Sequence, residues 1–204
     1  MNIVTSSMST KLPSSKLLSL IVCVMLTVWL GNYVALSVGR RQFEHPEKTC
    51  ATSVVDIGHQ LVPQMHIPVG VAIAFSGLWI PFVLLSSARM AIVRRIAMPF
   101  MLLFALRAIT NVVTILPKDD TCNSNLTWHM ALNGGCYDKV FSGHSATVVL
   151  VSLALVTYGV WPAWAGWGYT IGMVLMLLVS RGHYTVDIVL GLALGYLGWR
   201  TPML

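Results

Sequence analysis

The stretch that decides the fold is LLSLIVCVMLTVWLGNYVALSV, Leu17 to Val38, which holds no Asp, Glu, Lys, Arg or His. An α-helix rises 1.5 Å per residue, so about 20 consecutive apolar residues cross a hydrocarbon core of about 30 Å. The run predicts a membrane-spanning helix. Lys11 and Lys16 precede it, as a basic segment precedes the core of a secretory signal. That core is only about 7 to 15 residues long and ends in a small-x-small cleavage site; this run is longer and no such site follows. An uncleaved helix is expected, with the amino terminus in the cytosol. Residues 1–16, rich in Ser and Thr, read as a short, disordered cytosolic tail.

Working outward, five more apolar runs follow: Ile67 to Leu85, Ile96 to Leu116, Ala146 to Val160, Ala163 to Val179 and Tyr184 to Trp199. The fourth and fifth are parted by Trp161-Pro162, and the proline argues for a break rather than one long helix. Of the 204 residues, 56% are hydrophobic and 10% charged, and the mean hydropathy is +0.74. The expectation is an all-α membrane protein, a six-transmembrane-helix bundle formed as one domain by residues 17–204, with no internal repeat. Any chemistry then falls to loops and helix ends.

Basic residues collect in cytoplasmic loops of membrane proteins. Arg89, Arg94 and Arg95 between the second and third runs, and Arg200 in the tail, fit that side; Arg40, Arg41 and Lys48 in the first outer loop run against it. Topology is thus the simple cause of the net charge of +6, and no basic run with interleaved aromatics suggests nucleic acid. Cys23 falls in the first run and Cys50, Cys122 and Cys136 in outer loops. A Cys122–Cys136 disulfide is left open, and the absence of paired CxxC spacing argues against a metal site. The sequon Asn125-Leu126-Thr127 lies in the same loop.

The polar residues collect toward the outer side. Arg107 sits well inside the third run, where a charge costs about 2.5 to 3.5 kcal/mol and calls for a partner or a cavity; a snorkelling side chain is the plainer alternative, but a position about half way or more along the span strains it and favours a paired or functional arginine. In CYDKVFSGHSATVV, Cys136 to Val149, Ser142-Gly143 stands at the start of the fourth helix. A helix amino terminus attracts anions, and glycine lets one approach the backbone; an ordinary capping serine would give the same letters. In SRGHYTVD, Ser180 to Asp187, a helix beginning near Gly182 would set His183 and Asp187 one turn apart on one face. The carboxylate would accept one imidazole N–H and leave the other nitrogen as nucleophile or base. A buried pair made for packing is the alternative. A second histidine, His144, and two arginines, Arg107 and Arg181, at the same depth favour catalysis.

Cys136-Tyr137-Asp138 with Phe141-Ser142-Gly143-His144, and then His183-Tyr184-Thr185-Val186-Asp187, resemble the two signature motifs of the sphingomyelin synthase and inositol phosphorylceramide synthase family. Arg95 with Arg107-Ala108-Ile109-Thr110 resembles its third-helix motif, and Val55-Asp56 with His59 and Pro63 its first-loop motif. Tyr137 stands where the family usually has glycine. Ser180-Arg181 resembles the wider type 2 phosphatidic acid phosphatase superfamily, although only Gly182 separates Arg181 from His183. The resemblance implies a six-helix enzyme that moves a phosphorylated head group from a glycerophospholipid to ceramide or diacylglycerol. Its site would face the lumenal or exoplasmic side of a Golgi, endoplasmic reticulum or plasma membrane.

The residues support that chemistry. His183, oriented by Asp187, would attack phosphorus, and His144 would serve as acid and then base. Arg107 and Arg181, with Ser142 and Gly143, would hold the phosphate; Asp56 and Asp138 are candidate substrate-loop residues. No metal or other cofactor is required. Two other functions fit less closely: a lipid phosphate phosphatase with water as acceptor, and a non-enzymatic lipid-binding membrane protein.

Overall fold

The computed structural model describes residues 14–43, 56–114, 116, 137 and 139–201, and among them all regular structure is helical. In chain order the helices are α1 (Ser14–Phe43), α2 (Ile57–Leu61), α3 (Val69–Ser76), α4 (Trp79–Leu85), α5 (Arg89–Val113), α6 (Gly143–Thr157), α7 (Ala163–Val179) and α8 (Thr185–Arg200). The centre is α6, which packs on α5, α7 and α8, while α1 lies along α5. Its buried residues, Ser145, Ala146, Val148, Leu150, Val151, Ser152, Ala154 and Leu155, cover nearly every face. A helix apolar all round is a core helix.

Small residues set two close helix crossings. A Cβ on Gly191 would lie 2.4 Å from the Ser142 carbonyl oxygen, and one on Gly195 would lie 2.4 Å from that of Ala146. These glycines, one turn apart, let α8 press backbone to backbone on the first turn of α6. Gly31 of α1 meets α5 the same way, an added Cβ falling 2.8 Å from Ala108 Cβ. Asn32 and Asn111 bond side chain to side chain at 3.3 Å beside that contact.

The break at Trp161-Pro162 is found: α6 ends at Thr157 and α7 begins at Ala163. The second apolar run is not one helix. It divides into α3 and α4 at Gly77 and Leu78, where Gly77 N–H turns back to Ile73 O. Pro81 explains the division, because it has no N–H for the Gly77 carbonyl four residues earlier and its ring would clash with that oxygen; in the first turn of a new helix both problems vanish.

Among the described residues no helix is long and apolar enough to cross a membrane. The expected six spans therefore have no direct counterpart here. The helices α6, α7 and α8 have 15, 17 and 16 residues, or about 23 to 26 Å at 1.5 Å per residue. The outer surface is nonetheless strongly apolar: Leu85 is 88% exposed, Trp164 77% and Val113 72%, and exposed Leu, Ile, Val and Trp line α1, α5, α7 and α8.

Candidate active site

Because α7 returns the chain between them, α6 and α8 begin at the same end of the bundle. The glycine contact locks the two starts together, and Ser142 N–H donates to Asp187 O at 2.9 Å. Ser142 also caps α6 by accepting the Ser145 N–H at 3.2 Å. His144, in the first turn of α6, and His183, two residues before α8, thereby converge, with ring centres 6.1 Å apart. A phosphoryl group set between the two rings would be within reach of both.

His183 is buried, 5% exposed, and Asp187 is 1% exposed. Their separation of four residues puts them in contact, as the sequence predicts, but not through a helix that contains both. Asp187 is the third residue of α8, and its Oδ2 accepts the backbone N–H of the capping Tyr184 at 3.0 Å. That reciprocal cap starts the helix at Thr185 rather than near Gly182. His183 Nδ1 lies 3.7 Å from Asp187 Oδ2, beyond hydrogen-bond reach. Both His183 Nδ1 and Asp187 Oδ1 lack a hydrogen-bond partner among the described residues. The two side chains are in contact but not hydrogen-bonded.

Arg107 comes from α5, which runs antiparallel to α6, and is 6% exposed. Its Nη1 donates to Phe141 O, and a Cβ on Gly143 would meet its Cδ at 3.3 Å and its Nε at 3.4 Å. Glycine at 143 thus leaves room for the guanidinium against the start of α6. Arg107, Gly143 and His144 close one end of a cavity of about 190 Å³ that continues past Asn32, Phe104, Thr147 and Tyr169. Phe141, whose carbonyl Arg107 holds, and Tyr184, capped by Asp187, are buried at the site, and Tyr137 is buried as well.

Burial, followed by the positive charges of Arg107 and Lys139, holds His183 well below the ordinary 6.5. It is a neutral imidazole at neutral pH. His144 precedes the apolar run that begins at Ala146. It too is lowered, first by removal from water and then by His183 and Arg107.

The remaining candidates take other places. Arg181 turns away from the histidines: its Nη2 donates to Val62 O at 3.1 Å and its Nη1 to Leu178 O at 3.4 Å. Asp56 caps α2, accepting the His59 N–H at 3.0 Å, and also binds the Thr185 N–H and hydroxyl, each at 2.5 Å. Asp138, Cys50, Cys122, Cys136 and Asn125 lie outside the described residues. Sequence reasoning missed Lys139. It is 4% exposed, donates to Arg181 O at 3.4 Å and lies 5.2 Å above the Tyr184 ring. Its letter alone, in a loop, gives no sign that it would be buried near His183. Among the described residues no cluster of His, Cys, Asp and Glu is arranged to hold a metal.

A buried and a half-buried histidine, a buried carboxylate and an arginine at paired helix starts make a site suited to phosphoryl transfer. Comparison with known proteins agrees. Residues 135–202 match the model of the PAP2 superfamily C-terminal family. The chain is also 26% identical to the phosphatidylcholine:ceramide cholinephosphotransferase 1 of Caenorhabditis elegans, over 88% of this chain and 45% of that protein. It thus spans about half the length of the curated relative it matches. Together the two matches support the family to which the motifs point, the sphingomyelin synthase family.

Proposed function

We propose that the protein is a phospholipid head-group transferase, moving a phosphorylated head group from a glycerophospholipid to a lipid hydroxyl, that of ceramide first among the candidates. The observation that carries this is the convergence of His144 on His183, which lies against Asp187, with His144 and Arg107 lining one cavity. The named relative, a ceramide cholinephosphotransferase, gives it a precedent at low identity.

In the first half-reaction the His183 nitrogen facing away from Asp187 attacks phosphorus, and the phosphorus–oxygen bond to diacylglycerol breaks. His144 gives its proton to the departing oxygen. Asp187 closes on His183 Nδ1–H as the ring gains positive character. Arg107 steadies the charge on the phosphoryl oxygens, and the bound phosphodiester anion favours the protonated form of His144 against the burial, first, and the positive field that disfavour it. In the second half-reaction His144 takes the proton of the acceptor hydroxyl, whose oxygen attacks phosphorus. The nitrogen–phosphorus bond breaks and His183 is restored. Ser142 and Gly143 supply backbone at a helix start, where an anion is favoured.

The many exposed large apolar side chains on α1, α5, α7 and α8 support a membrane setting, where they would face hydrocarbon rather than water. In that setting the apolar runs make six crossings, with both termini in the cytosol and the site on the lumenal or exoplasmic side. The buried Tyr137, Phe141 and Tyr184 favour a lipid acceptor over water, since transfer requires that water be kept from the intermediate. The test is to incubate the protein in membranes with fluorescent ceramide or diacylglycerol and with separate phosphocholine, phosphoethanolamine and phosphoinositol donors, then weigh the product lipid. A new phospholipid together with diacylglycerol is expected. Release of free phosphate or free phosphorylated head group alone, whatever acceptor is supplied, replaces this reading with a phosphatase.

A further inference from the structure

The segment from Asp56 to Met65 touches the nucleophile's loop more densely than a surface connection requires. His59 Nε2 lies 2.9 Å from His183 O; a carbonyl can only accept, so that nitrogen carries the proton. Asp56 holds both the amide and the hydroxyl of Thr185 at 2.5 Å. Farther along, Val62 O accepts from Arg181 Nη2 at 3.1 Å, and Met65 N–H donates to Val179 O at 2.8 Å. The His59 ring lies 5.8 Å from that of Tyr184. A Cβ on Gly58 would fall 2.0 Å from Thr185 Oγ1, so the fit leaves no space for a side chain.

These bonds bracket His183 on both sides along the chain. The carbonyl of His183 itself, the next residue but one, and positions 179 and 181 before it are each tied to the same short segment. Burial alone would raise the Asp56 carboxyl, but the Thr185 hydroxyl and the His59 and Thr185 amides outweigh it and hold it below its ordinary value. Asp56 is therefore ionised and acts as a charged acceptor, the stronger kind of hydrogen bond.

We propose that His59 and Asp56 are positioning residues: the segment 56–65 is a clamp that fixes the backbone of His183, and so sets the ring against His144 and Asp187. The proposal assigns Asp56 to the protein's own loop rather than to the substrate, and it rests on the reading of His183 as nucleophile. Neither residue needs to touch lipid. A group that places the nucleophile acts on the chemical step and leaves the binding of a remote head group and acyl chains nearly unchanged.

The test compares His59→Phe, which keeps an aromatic ring beside Tyr184 and loses the donor, with His59→Gln, which keeps an N–H able to reach the carbonyl. In membranes supplied with a phosphatidylcholine donor and ceramide, the transfer kcat of His59→Phe should fall by about 10- to 100-fold with the donor KM within about twofold. His59→Gln should recover most of the rate with an unchanged pH profile. Should His59→Phe fail to accumulate, Thr185→Val, which removes one hydroxyl at nearly equal volume, should show the same fall in kcat, and Thr185→Ser should restore it. A parental kcat in whichever of His59→Phe and Thr185→Val accumulates overturns the clamp. So does a Gln variant as defective as Phe with a limb missing from its pH profile, for then His59 moves protons itself. His183→Ala, measured alongside, separates the two readings. If it is inactive while the clamp variants are normal, only the clamp fails; if it is active, the nucleophile fails and the clamp with it.

Discussion

The ends of α6 and α7 share one pattern of backbone hydrogen bonds and differ in the kind of residue that takes the left-handed position. After α6, Val160 N–H reaches back to Leu155 O at 2.8 Å and Gly159 N–H to Val156 O at 3.1 Å; after α7, Gly182 N–H reaches Leu177 O at 3.1 Å and Arg181 N–H reaches Leu178 O at 3.2 Å. This pair of bonds needs a left-handed residue just past the helix, normally glycine. Gly159 fills it in the first turn, with φ +69°, and Arg181 fills it in the second, with φ +56°. An L-residue with a side chain is less stable there by roughly 1 to 2 kcal/mol. The first turn only has to redirect the chain toward Pro162. The second must deliver His183, and its arginine offsets the strain by gripping Val62 O and Leu178 O. Strain held in place by surrounding bonds is a common mark of a functional loop.

The comparison predicts that changes after α7 act on chemistry and changes after α6 on stability alone. The largest effects belong to His183→Ala and His144→Ala, which should each lower transfer by about 1,000-fold or more while the protein stays in membranes, measured as product per mole of purified enzyme. Near-normal turnover in either variant would remove the mechanism. Asp187→Asn should cost roughly 100-fold, because the histidine remains but its tautomer is no longer enforced. Equality with the parent would leave Asp187 only its capping bond to Tyr184.

Smaller effects sharpen the contrast between the turns. Arg181→Gly relieves the backbone and removes the grip, so kcat should fall by about 10-fold with Tm within a few degrees of the parent. Gly159→Ala should do the opposite. An added Cβ there meets nothing within 4 Å, so only the backbone strain of roughly 1 kcal/mol remains. The expected result is unchanged kcat and a Tm lower by about 2 to 4 °C. If Gly159→Ala slows transfer as much as Arg181→Gly, the two turns do not differ in the way described.

Much of this was legible in the sequence where a local rule decides. The fifth apolar run, Ala163 to Val179, coincides with α7 because Pro162 fixes its start and a polar Ser180 follows its end. That His144, His183 and Asp187 lie close together could be read because their motifs stand at helix starts. The second run misled because its hydropathy is continuous while Gly77 and Pro81 break the backbone beneath it. Arg181 could be read as a cation, but not as one already engaged by Val62, 119 residues away in the chain. Lys139 and His59 depend in the same way on contacts with Arg181 and His183. No short-range pattern encodes such distant pairings.

The central claim, that His183 carries the head group, is tested most directly by trapping it. Purified enzyme is mixed with a donor phospholipid labelled in its phosphate and head group, without acceptor, and quenched in alkali, where a phosphorus–nitrogen bond to histidine is expected to survive. The account predicts label on a peptide containing His183, discharged when ceramide or diacylglycerol is added, absent from His183→Ala and still formed in Arg181→Gly at a slower rate. Label of the same yield in His183→Ala, or efficient transfer by the parent with no label at any time after mixing, would contradict it.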